Sequence, residues 1–581
     1  MNCIRRSILA LCAVAMGCSP KAQIEYTNPV LHLDYSDPDV CRVGEDYYLT
    51  ASSFNCFPGL PILHSRDLVH WEQIGAALMD YPCDGTDADF RTTVQHGNAV
   101  WAPAIRYHDG WFYIYVGDPD RGIFMVKAQR PEGPWEKPVW VVRQKGFIDP
   151  CPLWDDGGNA YLSHGLAGSR AGLKSVLFVA PMSPDGTTLT GPSRIVYDGH
   201  STQPTIEGTK FYKRGGYYYI FSPAGGVATG WQTVLRAKDP FGPYEEKIVM
   251  AWAPGTINGP HQGAWVEGTD GKDWFLHFQD KGAYGRILHL QPMTWRSDGW
   301  PLIGEDPDGD GVGQPVMRYE ISPLASLGRN DKKAVISNGH HSVISSGGEA
   351  VVEKSPYGLS WAWQYPAIPG PYWHMALPDG GVRLYSVEQK WPYRSLWDCP
   401  NVLQQKFSAE TFAVKAKMKF CPNPQLKQRG ETAGFVVMGN DYAGLRLTDT
   451  REGALLSYIS CLGASKGAEE TAIPLIVLPY SAHPQPHEYE SKNVPLVDYP
   501  DRQEAVLYVK LDVAPRPVEG NVPDAVCRFS YSQDGLEWTT VPVEFVARPE
   551  LWIGAKWGFF CNRFSPKNDS GCVDVTDLEV L

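Results

Sequence analysis

Five segments of the chain share one pattern: a Gly, Asp or Asn turn followed by a short aromatic–aliphatic run. They read GEDYYLT (44–50), DGWFYIY (109–115), GNAYLSH (158–164), GGYYYIF (215–221) and GKDWFLH (271–277). Their aromatic markers Tyr48, Tyr113, Tyr161, Tyr219 and Phe275 recur at steps of 48 to 65 residues. A second phrase follows three of the markers: SRDLVHWE (65–72), RPEGPWE (130–136) and KDPFGPYE (238–245). A single β unit of this kind cannot cover its own apolar faces, whereas several stacked radially can. Five units therefore predict a five-bladed β-propeller over residues 24–325. No helical period of 3.6 residues competes in these stretches.

Beyond residue 325 the pattern stops. LGRNDKKAVISNGHH (327–341) is polar and reads as part of a linker over 326–345, with His340 and His341 in solvent. Strand signals then resume in another style. Phe412, Val414, Ala416, Met418 and Phe420 alternate with Ala413, Lys415, Lys417 and Lys419, which is the period of a half-buried strand. GFVVMG (434–439), VLYVKLDV (506–513) and CRFSYSQDGLEW (527–538) continue the series, the last with an Asp534–Gly535 hairpin signal. Regularly spaced strands predict a β-sandwich over 346–581. The composition agrees with an all-β chain, since 20 Trp and 29 Tyr accompany 58 Gly and 48 Pro. A net charge of −13 argues against a nucleic-acid or anionic-membrane surface, because both need clustered Lys and Arg.

The first residues read as a targeting segment. Arg5 and Arg6 precede an apolar run from Ile8 to Met16, and the small Ala15 and Gly17 lead into Cys18. This is similar to a lipoprotein-type signal over residues 1–18, with Cys18 as the lipidated residue; an ordinary cleaved signal peptide is the alternative. Either leader predicts export, to the periplasm or outer membrane, with membrane contact only through a lipid on Cys18. Three of the 13 Cys lie in this segment, and the other ten contain no C-x-x-C pair, so no zinc site is expected. Cys561 and Cys572 are a candidate disulfide, with buried thiols as the alternative. DPDGDG (306–311) starts like a calcium loop, but its twelfth position is Met317 where a Glu is required, so it reads as an acidic turn.

Propeller blades set their first strand beside the central axis, one strand upstream of each marker. Asp37, Trp101, Asp149, Glu207 and His261 lie there, 11 to 14 residues before their markers. Equivalent places converge on one axial spot, which would gather three acids, an indole and an imidazole. Asp37 and Asp149 also precede Pro, in SDPDV and IDPCP, where Asp commonly starts a turn. As a set of three, however, the acids are costly as mere structure, since close like charges raise one another's pKa. Paired carboxylates beside an aromatic ring suit glycoside hydrolysis, in which one acid protonates the leaving oxygen and another activates water or attacks carbon.

NPVLHLDYSDPDVCRVGEDYYLTASSF with FPGLPILHSRDLVHWE, then WAPAIRY, FIDPCPLWDDGG and IEGTKFYKRGGYYYIFSPAGG, resemble glycoside hydrolase family 43 in content and order. The remainder resembles the concanavalin-like sandwich of that family's β-xylosidases. The resemblance implies a five-bladed propeller and an inverting, exo-acting hydrolase that releases terminal α-L-arabinofuranosyl or β-D-xylosyl residues. It implies Asp37 as general base, Asp149 as the residue that orients the acid and raises its pKa, and Glu207 as general acid, protonated near neutrality. Trp101, His261, Arg286 in YGRILHL and Phe54 in SFNCFPG are the expected substrate-binding residues. Lys556–Phe560 lies where relatives insert a sandwich loop into the pocket. No cofactor is required by this reading; a structural calcium ion near His261 is the one metal it suggests. Expected partners are plant cell-wall oligosaccharides: arabinoxylan, xyloglucan or arabinan fragments. Two departures touch the pocket, Cys56 where many β-xylosidases carry an indole and GPHQG in place of the more usual G-H-A motif. A non-catalytic glycan-binding lipoprotein is the rival reading; it would not need all three acids.

Overall fold

The computed structural model describes residues 24–82, 95–252, 258–321, 361–364, 373–378, 380–389, 393–424, 429–483, 502–565 and 569–581. The leader with Cys18, the 326–345 linker and His340 and His341 lie outside the described residues. Four blades are four-stranded antiparallel sheets in simple chain order. The first holds Asp39–Val43, Asp46–Thr50, Gly59–Ser65 and Glu72–Leu78. The second begins at Trp101–His108, the third at Phe147–Trp154 and the fourth at Lys210–Arg214. All five aromatic markers fall on the second strand of a blade. The repeated second phrase leads into the outermost strand, and its ring ties back to a carbonyl three or four residues earlier, as in Trp71 Nε1 to Leu68 O at 2.9 Å and Tyr244 OH to Pro240 O at 2.9 Å.

The fifth blade closes the ring. Its strands His261–Glu267, Asp273–Asp280 and Arg286–Trp295 are joined by Leu31–Asp34 from the start of the chain. Ile24–Thr27 pairs in turn with Arg318–Ile321. One guanidinium crosses the axis: Arg106 of the second blade donates to Asp39 of the first at 2.6 Å and to Cys151 Sγ of the third at 2.9 Å, over the Tyr212 ring of the fourth. A buried charge needs such partners, and these link four blades.

The described residues between 362 and 580 form a sandwich of two eight-stranded sheets. Phe412–Cys421 alternates buried and half-buried residues as its sequence predicts. Between the sheets lies a continuous apolar core that includes Phe435, Phe529, Trp557 and Phe559. Each such side chain contributes about 1.5–3 kcal/mol on burial. Cys561 and Cys572 sit on strands of different sheets and remain thiols, as do all nine cysteines among the described residues, each of them buried. The acidic turn at 306–311 closes on protein donors: Asp306 on Arg296 and the Gly311 amide, Asp308 on Gln314.

Candidate active site

Each inner strand meets the axial end of the ring through one residue in the left-handed region: Asp37 (φ 54°), Ala102 (33°), Asp149 (56°), Gly208 (66°) and Gln262 (33°). Bulges at Trp101–Ala104, Ile148–Cys151 and His261–Gly263 accompany three of them. A bulge bends the strand and re-aims a side chain, and strained backbone of this kind collects at functional sites. The five residues expected at one equivalent place therefore occupy two adjacent ones. Asp37 and Asp149 are the left-handed residues themselves; Trp101, Glu207 and His261 each precede one.

Asp37 is 4% exposed. Its Oδ2 accepts from Ser36 Oγ at 3.0 Å and Ser52 Oγ at 2.6 Å. The Ala102 amide donates to Ser52 Oγ at 2.7 Å, which leaves the serine hydrogen to Asp37. Arg286 Nη1 lies 3.4 Å from Asp37 Oδ1 and donates to Ser36 Oγ at 2.8 Å. Asp149 is 2% exposed, and its Oδ2 accepts the Gly208 amide at 2.7 Å. That bond ties it to the peptide immediately after Glu207. Burial first, then the Glu207 charge and the more distant Asp37 charge, push the Asp149 carboxyl up to about 8 against the pull of the Gly208 bond. Glu207 keeps 36% of its side chain exposed, and its Oε1 lies 3.1 Å from Nε2 of the buried His261.

Two indoles wall the opening. Trp101 Nε1 donates to Gly97 O at 2.7 Å, and the Arg170 guanidinium lies 5.5 Å from its ring. Trp552 meets Trp101 edge-on at 6.1 Å, with the Arg286 guanidinium 5.6 Å from its ring. It is 43% exposed and has φ 71°. Phe54, expected to bind substrate, is 2% exposed; it braces Trp101 from behind at 6.4 Å and presents no face to a ligand. The expected sandwich insertion is also corrected: Lys556–Arg563 is a buried strand, and the segment that reaches the pocket is Leu551–Ala555 just before it. The sequence signal for this loop is an indole flanked by Leu551, Ile553 and Gly554 ahead of the mostly apolar strand KWGFFCNR, a pattern that a β-period alone reads as more strand. Ser36, Ser52, Arg170 and Trp552 all escaped sequence reasoning.

His261 Nδ1 and Gln262 Oε1 are buried here without a hydrogen-bond partner among the described residues. They suit a hydrated cation. No group of three His, Cys, Asp or Glu among the described residues forms a metal cage.

Residues 26–301 match the family model of glycosyl hydrolases family 43, and 353–580 that of the β-xylosidase C-terminal concanavalin A-like domain. A non-reducing end α-L-arabinofuranosidase of Bacteroides ovatus is 31% identical over 75% of this chain and 78% of its own. The chain belongs to glycosyl hydrolases family 43. As a family 43 member it is an inverting glycosidase, an enzyme that hydrolyses glycosidic bonds. A Xylanibacter ruminicola protein named "Putative beta-xylosidase" is 39% identical, the match spanning 66% of each chain. The solved structure of Bacteroides ovatus xyloglucan PUL GH43B shares the fold over 96% of this family 43 chain and 100% of its own, at a TM-score of 0.70 and 23% identity.

Proposed function

We propose that this glycosidase removes terminal α-L-arabinofuranosyl or β-D-xylosyl residues from arabinoxylan, xyloglucan or arabinan fragments. The observation that carries this reading is the pair of acids tied through the Gly208 amide, facing a third acid held by two serines and an arginine. In this scheme Glu207, the exposed member of the pair, protonates the leaving oxygen. Asp149, tied to the peptide after Glu207, orients it and, buried beside the Glu207 charge, carries a proton near neutrality. Burial keeps that proton on Asp149 in the unliganded protein. A sugar that covers Glu207 takes away its water and draws the proton toward the reacting oxygen. Asp37 takes a proton from the attacking water, which enters from the face opposite the leaving group. An inverting pair needs about 6.5–9.5 Å between acid and base to hold that water. Trp101 and Trp552 clasp the terminal ring, whose C–H faces suit indoles, and the sandwich loop closes the far side, which favours chain ends.

The names of the relatives, a β-xylosidase and an α-L-arabinofuranosidase, support a pentose. Hydrolysis of 4-nitrophenyl α-L-arabinofuranoside and β-D-xylopyranoside, with the product anomer read by proton NMR, tests both parts. Loss of activity on both, or retention of anomeric configuration, would reject the scheme. We also propose export with a lipid on Cys18, tested by labelled-palmitate incorporation in wild type and Cys18→Ser. A calcium ion at the axis would rest on His261 Nδ1, Gln262 Oε1 and water in a structural role; no step is assigned to it.

A further inference from the structure

The sandwich loop that carries Trp552 is fastened to the propeller at four points. Glu550 Oε1 bonds His96 Nδ1, and Glu550 Oε2 accepts Lys556 Nζ at 2.8 Å. Leu551 lies against Gly97, the glycine whose carbonyl holds Trp101. The Ala555 amide donates to Ala283 O at 2.8 Å. The fourth point is Asp34, 5% exposed, at the end of the ring-closing strand. Its Oδ2 accepts the Gly554 amide at 2.9 Å, and its Oδ1 accepts the Arg286 amide at 2.8 Å. Lys406 of the sandwich donates to its backbone carbonyl. One carboxylate thus holds the residue two after Trp552 and the residue whose guanidinium touches both Asp37 and the Trp552 ring.

The junction has no slack. A Cβ on Gly554 would lie 2.7 Å from Gly285 N, and a Cβ on Gly285 would lie 2.4 Å from Asp34 Cγ. The two backbones are in direct contact, with the carboxylate seated between the Gly554 and Arg286 amides. Both its oxygens accept, so a carboxylate meets the geometry and a carboxamide meets only half of it.

We propose that Asp34 is a positioning residue that sets the width of the sugar pocket, by fixing Trp552 on the sandwich against Arg286 on the propeller. The proposal rests on the glycosidase reading of the site. Asp34→Asn turns one acceptor into a donor aimed at an amide hydrogen. On the two 4-nitrophenyl pentosides it should lower kcat/KM about tenfold, mainly through KM, with the pH limbs of the rate profile unmoved because Asp37, Asp149 and Glu207 are intact. In a Trp552→Ala background the same substitution should cost less than twofold, since the ring it positions is gone. An equal loss in both backgrounds, or no loss in wild type, overturns the proposal. Gly554→Ala, which keeps the Asp34 carboxylate and whose Cβ would force the loop off the Gly285 backbone, should reproduce the KM effect and replaces Asp34→Asn if that variant does not fold. Hydrogen exchange over residues 549–556 separates the tie from the reading: exchange at least tenfold faster in the variant supports the tie, and unchanged exchange overturns it, even where wild type cleaves neither pentoside.

Discussion

The propeller and the sandwich build their interiors differently. The propeller gathers Asp37, Asp149, His261 and Arg286, all buried, at one end of its ring, and strains several backbones to aim them. The sandwich fills the space between its sheets with apolar side chains and meets its neighbour through several segments, one of which, a short loop, reaches the pocket. Chemistry that needs several charges at one spot draws on many chain segments at once, and radial symmetry supplies them. In the proposed scheme the propeller supplies the acids and one indole wall, Trp101, while the sandwich loop supplies the other, Trp552, so that the chemistry is left to the propeller and fit is divided between the two domains.

Four substitutions put that division at risk. The largest effect is expected at the acids: Asp37→Ala and Glu207→Ala should each lower kcat on aryl pentosides about 10²–10⁴-fold, read in steady-state assays. Near-wild-type rates in either would remove the chemistry from the propeller axis. Asp149→Asn should come next, with the loss growing as the leaving group becomes poorer, read as a steeper dependence of kcat on leaving-group pKa. Trp552→Ala should raise KM about tenfold and change kcat by no more than a few-fold. A kcat loss as large as that of the acids would place catalysis, and not only fit, on the sandwich loop.

The smallest effect concerns acid stability. His164 of the propeller is sealed between Phe147 and Phe178, and burial holds its pKa at about 4. The folded protein keeps the ring neutral while the unfolded chain takes a proton below about 6.5. Stability is thus lost as pH falls from 6.5 toward 4, by up to about 3 kcal/mol from this group. His164→Phe should flatten the decline of Tm over that window, and the sandwich core, which holds no histidine among the described residues, should show no matching change. An unaltered slope would mean that other groups carry the acid response.

Much of the fold was legible because its signals are local. A turn and an aromatic run mark each blade, and alternation marks Phe412–Cys421. The three acids were legible because each blade repeats the distance from marker to axis. The one-residue offset between Asp149 and Glu207 was not, since a bulge adds a residue without changing the local pattern. Phe54 misled because an aromatic beside a glycine turn reads alike whether it faces a ligand or braces another ring. Trp552 and Asp34 were hidden for a different reason. Their roles arise from contacts across more than 200 residues of chain, and nothing in the flanking sequence records which distant surface a loop will touch.

The seam formed by Leu31–Asp34 has a consequence for how the enzyme comes into being. This early strand waits for a partner roughly 250 residues later, about 10–50 s at ordinary synthesis rates. Until then the ring is an open arc and Asp37, three residues past the seam, has no Arg286 to face. In the proposed scheme a chain cut before Arg286 would therefore leave sugars uncleaved, since the circle that brings this arginine to Asp37 is never sewn shut.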